Sequence, residues 1–104
     1  MNDIFEMDFA SPLNMQEMIV VLRQQAPDID WTNRESEYDG IYIRGKTADG
    51  SKLRIIDNGQ RFAVEVYFPR LGGEFSDSEK RNFLRRLSLE ILPLVRAQDI
   101  VDVP

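Results

Sequence analysis

Residues 55–68 read IIDNGQRFAVEVYF, and this stretch decides the fold. Apolar residues alternate with polar ones on both sides of Asn58-Gly59, the pattern of two strands that are each covered on one face, joined by the residue pair most typical of a short hairpin turn. A two-residue turn there predicts Asp57 opposite Gln60, Ile55 opposite Phe62 and Leu53 opposite Val64, with Lys52 meeting Glu65 and Arg54 meeting Ala63 on the other face. On the first face every apolar partner then meets another.

The turn before it obeys the same logic. An odd-length loop such as Ala48-Asp49-Gly50 keeps Ile41 and Ile43 on the same side as Leu53 and Ile55, with Gly50 supplying the left-handed residue. That register sets Arg44 opposite Arg54 and Lys46 opposite Lys52, like-charge neighbours that oppose strand pairing by roughly a few tenths of a kcal/mol. The outer sheet face thus gathers Arg44, Lys46, Lys52, Arg54 and Arg61, interleaved with Tyr42, Ile56 and Tyr67, and Arg34 on the preceding strand joins them. Yet the chain carries a net charge of -5, its acid concentrated in NDIFEMD, PDID, ESEYD and the QDIVDV tail. A dipolar molecule is expected.

Further out the period changes to that of helices. Asn14 and Glu17 form a capping box, Leu13 and Met18 a staple, and Met15, Met18, Ile19, Leu22 and Ala26 a stripe that Pro27 ends at about residue 25. Ser76 and Glu79 cap a second helix whose stripe is Phe83, Leu84, Leu87, Ile91, Leu94 and Val95; Pro93 kinks it, or ends and restarts it. Between the helices, Ile29 and Trp31, Ile41 and Ile43, Leu53 and Ile55, and Phe62 to Phe68 alternate as four strands, and Gly72-Gly73 marks the strand-to-helix connection. IFEMDF at the start, with Phe5, Met7 and Phe9 opposite Glu6 and Asp8, predicts an added edge strand. The expected fold is a two-layer α+β domain of order α-β-β-β-β-α: a four-stranded antiparallel meander with both helices on one face.

Composition bounds the chemistry. A chain of 104 residues, 42% hydrophobic, supports one domain with one core. With no cysteine and no histidine there is no thiol nucleophile, zinc-thiolate site, disulfide or imidazole base. The paired carboxylates Asp28/Asp30 and Glu35/Glu37 fall at turns and strand ends, where acidic residues are ordinary turn formers. YDG and ADG lack the glutamate of a calcium loop, and the glycine pair lacks the following Lys-Ser or Lys-Thr of a phosphate loop. No enzyme, cofactor or metal is expected. The acidic, broken start matches no signal peptide and no window is long enough for a membrane span, so a cytoplasmic protein is expected.

The outer face carries the functional expectation. Aromatic residues and arginine are the side chains enriched at the energetic centres of protein interfaces, which makes Tyr42, Arg44, Arg54, Arg61 and Tyr67 the candidate anchors for another protein. By class-level analogy the domain would serve as an inhibitor, immunity protein or chaperone-like adaptor. The alternatives are a merely solvated face and a nucleic-acid platform, the latter ranked lower because the whole chain is acidic and lacks an RNP-like signature. Leu89 and Leu92 project off the stripe of the last helix and form a second candidate, a seam for a homodimer; the alternative, ranked just above it, is burial of that helix on two sides. The KRNFLRR run reads as a solvated flank in which Arg86 pairs with Glu90.

Overall fold

In a computed structural model, residues 4–38, 40–69 and 75–103 are described; the Gly72-Gly73 connection lies outside them. The chain runs β1 (Ile4–Ala10), α1 (Met15–Gln25), β2 (Asp30–Ser36), β3 (Gly40–Lys46), β4 (Lys52–Asp57), β5 (Phe62–Tyr67), α2 (Asp77–Arg86) and β6 (Gln98–Val103). The strands form an antiparallel sheet in the order β2-β3-β4-β5-β1-β6. The α+β class and the meander of β2 to β5 match the expectation from sequence. The strand number does not: six strands pair among the described residues, where four with an added edge strand were expected.

The N-terminal strand forms, but inside the sheet, because β6 pairs with its outer side from Glu6↔Val103 to Ala10↔Gln98. The route to β6 begins at Pro93. Lacking an N–H, this residue cannot donate to the carbonyl of Leu89, and a π-helical turn over Leu87–Ile91 widens the helix just ahead of it, with Leu92 N–H reaching back to the Leu87 carbonyl. One last turn, Leu92–Leu94, follows. It closes with Arg96 N–H on the Pro93 carbonyl (3.1 Å) and Ala97 N–H on the Leu92 carbonyl (3.1 Å), Arg96 taking the left-handed φ of 56°. This is the Schellman closure, usually built on glycine; an arginine hides it in the sequence.

Both capping boxes form. Asn14 Oδ1 accepts from Glu17 N–H at 2.8 Å and Ser76 Oγ from Glu79 N–H at 3.1 Å, each glutamate returning the bond to its cap. In the β3–β4 hairpin Thr47 N–H bonds the Ser51 carbonyl at 3.0 Å around Ala48-Asp49-Gly50, with Gly50 at φ 94°. The register is Arg44↔Arg54 and Lys46↔Lys52, as expected.

The β4–β5 hairpin corrects the expectation. Asn58 N–H bonds the Arg61 carbonyl at 2.9 Å across a four-residue loop, and Asp57 Oδ1 captures the Gly59 N–H at 2.8 Å. The pairing slides by two residues, to Asp57↔Phe62, Ile55↔Val64, Arg54↔Glu65 and Lys52↔Tyr67. A slip of two keeps every side chain on its predicted face, whereas a slip of one would have inverted the strand.

One face of the sheet is closed by the two helices. Its core joins Met18, Leu22, Ile43, Leu53, Ile55, Val64, Val66, Phe68, Leu87, Ile91 and Leu92, all 0 to 1% exposed. Phe68 sits among Phe5, Phe75 and Phe83 with ring centroids 5.5 to 6.0 Å apart. Trp31 Nε1 donates to the Ala26 carbonyl at 2.9 Å, tying α1 to β2. The ring packs against its cross-strand partner Gly45, where a Cβ would come within 2.7 Å of it. Ile41, expected in this core, is instead 61% exposed: its side is right, but the sheet there extends past β4, whose pairing with β3 ends at Tyr42↔Ile56.

Candidate interaction surface

The opposite face of the sheet is not covered by either helix, and the registers lay it out as rows across the strands. The central row reads Thr32, Arg44, Arg54, Glu65, Glu6, Val103, from β2 to β6. On one side of it run Asp30, Lys46, Lys52, Tyr67 and Ile4; on the other run Arg34, Tyr42, Ile56, Ala63, Asp8 and Val101. Apart from Asp30 at the start of β2, the charges of the β2–β4 half are cations. Carboxylates and exposed apolar side chains occupy the β5–β1–β6 half.

All five anchor residues expected from sequence reach or border this face, in different states. Arg54 is engaged within the molecule: its guanidinium meets Glu65 at 2.5 Å, and its Cζ stands 5.1 Å from the centre of the Tyr42 ring. Arg61 is engaged too, donating to Asp8 at 2.6 Å and to the Asp99 carbonyl, so that it ties the β4–β5 loop to β1 and β6. These pairs are about one-third exposed, which limits each to less than about 1 kcal/mol. Arg44 differs: it has no ion-pair partner among the described residues, and its Nε is buried without a hydrogen bond. Arg34, Lys46 and Lys52 likewise have no ion-pair partner among the described residues, and neither does Glu6.

Tyr67 is 44% exposed and lines a recess of about 280 Å³ with Ile4, Val66, Arg44, Lys52, Arg54 and Glu65. Cations and one carboxylate surround apolar walls there, the arrangement that holds an amphipathic side chain. At the tip of the adjoining hairpin burial pushes the Asp49 carboxyl up, but bonds from the Thr47 hydroxyl and Ser51 N–H outweigh it and hold the group below its ordinary 3.8. That carboxylate is occupied by its own loop.

The helical seam does not form as expected. Leu92 is 0% exposed and belongs to the core, because the π-helical turn advances the helix and rotates it inward; Leu89 alone remains exposed, at 64%. Arg86 pairs with Asp28 at 2.7 Å and lies 3.8 Å from Glu90.

Sequence reasoning missed the other half of the open face. Val101 and Val103 sit in a tail that reads as acidic, and Ile4 and Glu6 acquire their neighbours only through pairing with β5 and β6. Among the described residues no group of His, Cys, Asp and Glu is placed to hold a metal ion, and no helix is long and apolar enough to cross a membrane. No protein-family model and no curated protein matches the chain. The reading of this surface rests on its geometry.

Proposed function

We propose that this chain is a small, non-enzymatic protein-binding domain that uses the open face of its sheet as its contact surface. The carrying observation is the group of cations Arg34, Arg44, Lys46 and Lys52, which have no ion-pair partner among the described residues, beside a recess walled by the exposed Tyr67 and Ile4. A cluster of cations without ion-pair partners among the described residues, next to an aromatic anchor, favours a partner that brings carboxylates and an apolar side chain. Arg44, Lys52 and Tyr67 are the anchors this reading favours; Arg54 and Arg61 set the frame. Inhibitors, immunity proteins and chaperone-like adaptors are the functional classes that fit such a domain, by analogy. A fold that needs no disulfide supports a cytoplasmic setting. A nucleic-acid partner is less well supported, since Glu6, Asp8 and Glu65 share the face with the cations and would repel a phosphate backbone laid across it.

The test compares the wild type with the Arg44→Glu/Lys52→Glu double variant as bait in lysate of the source cell, with chemical cross-linking and mass spectrometry. The expected result is a protein cross-linked to the open face by wild type and lost by the variant. A partner retained equally by both would sink the reading, as would retention of nucleic acid alone.

A further inference from the structure

The central row of the open face carries two positive charges followed by two negative ones: Arg44, Arg54, Glu65, Glu6. Within one molecule the inner two neutralise each other, and the outer two are left without an ion-pair partner among the described residues. Arg44 and Glu6 are thus opposite charges, each one strand beyond the central Arg54–Glu65 bridge. Like charges also stand side by side, Arg44 next to Arg54 and Glu65 next to Glu6, which strand pairing by itself disfavours.

We propose that the open face docks on a second copy of this chain, about a two-fold axis that runs along the strands between β4 and β5. The inference rests on the protein-binding reading above and names the partner. Such an axis sets β3 over β1, β4 over β5 and β2 over β6 of the second copy, while each row stays over itself. Arg44 then meets Glu6 of the second copy, and Glu6 meets its Arg44: two new ion pairs from the two charges that have no ion-pair partner among the described residues. At the ends of the central row Thr32 falls over Val103, and in the flanking rows Lys52 falls over Tyr67, Lys46 over Ile4 and Arg34 over Val101.

The apolar side chains exposed on this face, Ile4 (61%), Tyr67 (44%), Val101 (52%) and Val103 (37%), all lie on the acidic half. In the pairing three of them are covered by the stems of Lys46, Lys52 and Arg34 and the fourth, Val103, by Thr32, and Lys52 stands over the Tyr67 ring. The charges choose this axis over the other simple one. A two-fold axis perpendicular to the strands, lying in the interface, would stack Arg44 on Arg44 and Glu6 on Glu6.

The area suffices. Six strands about 4.8 Å apart and about 20 Å long present roughly 580 Å² per copy, some 1,150 Å² in total, at the lower end of specific interfaces and in keeping with a reversible dimer. Sheets packed in this way lie about 10 Å apart with strands within about 30° of each other, a space that long charged side chains can fill.

The mutual arrangement makes a sharp test, because Arg44→Glu leaves two acids and Glu6→Arg two bases at the paired positions. Sedimentation of the full chain over a concentration series is expected to show a dimer for wild type. Each single variant changes two symmetry-related contacts, so its dimer dissociation constant should rise at least about 100-fold. An equal mixture of the two variants should associate as a heterodimer with near wild-type affinity, and the Arg44→Glu/Glu6→Arg double variant should self-associate again. A second measurement uses the cysteine-free background: Arg44→Cys mixed with Glu6→Cys should give a covalent heterodimer with a short bifunctional thiol cross-linker, which spans the distance between facing sheets that a direct disulfide cannot, even where a charge reversal disturbs folding.

A wild type that stays monomeric up to millimolar concentration overturns the proposal, as does a dimer indifferent to both reversals or a mixture that does not associate. A monomeric wild type that still captures a different protein through Arg44 and Lys52 would leave the binding reading standing and remove only the second copy as its partner.

Discussion

The two faces of this sheet are built from the same strands, often from adjacent residues, and they hold themselves together in different ways. Under the helices, Phe68, Val66, Leu53 and Ile43 are sealed from water and complete within one chain. On the open face opposite charges are sorted into halves, and Arg44 and Glu6 lack ion-pair partners among the described residues. Burial of apolar area rewards any tight filling, whereas charges reward only a complement. The helix-covered face therefore accounts for stability, and the open face has an arrangement that folding by itself does not require.

That contrast can be broken by substitution. Phe68→Ala should have the largest effect, about 3–5 kcal/mol in urea unfolding, since it empties the centre of the aromatic cluster. A loss below about 1 kcal/mol would mean that the covered face is not the seat of stability. Gly45→Ala sharpens the point at one contact: the added methyl meets the Trp31 ring at 2.7 Å, so a cost of roughly 1–3 kcal/mol is expected, with a changed tryptophan fluorescence. Arg44→Gln, at concentrations where the chain is monomeric, should alter stability by only a few tenths of a kcal/mol, and in the stabilising direction, because it relieves the Arg44–Arg54 opposition. A destabilisation as large as that of Gly45→Ala would show that the open face also carries the fold.

The faces themselves were legible in the sequence. Alternation with a period of two states which side chains share a side, and that information survives an error in loop length: the Asn58-Gly59 hairpin closes two residues wider than expected, yet Leu53, Ile55, Val64 and Val66 remain together and so do Lys52, Arg54 and Glu65. The four-residue loop was hidden because Asp57 competes for the turn through its carboxylate, which the dipeptide signal does not weigh. The anchors were legible as residue types but not as states. Nothing local distinguishes Arg44, which has no ion-pair partner among the described residues, from Arg61, which is tied to Asp8 across 53 positions of chain.

What the sequence determined alone is local: both helix caps, the left-handed Gly50 in its three-residue loop, the helical stripes, and the sorting of side chains to one face or the other. These depend on hydrogen bonds and sterics within a few residues, which any chain segment carries with it. The tertiary structure decided the rest. It placed β1 between β5 and β6, turned the QDIVDV tail into a strand after an arginine-built Schellman turn, drew Leu92 into the core and set Glu6 one strand beyond Glu65. Those choices rest on backbone hydrogen bonds between segments far apart in the chain, and strand order depends on which segments meet, which no local pattern encodes.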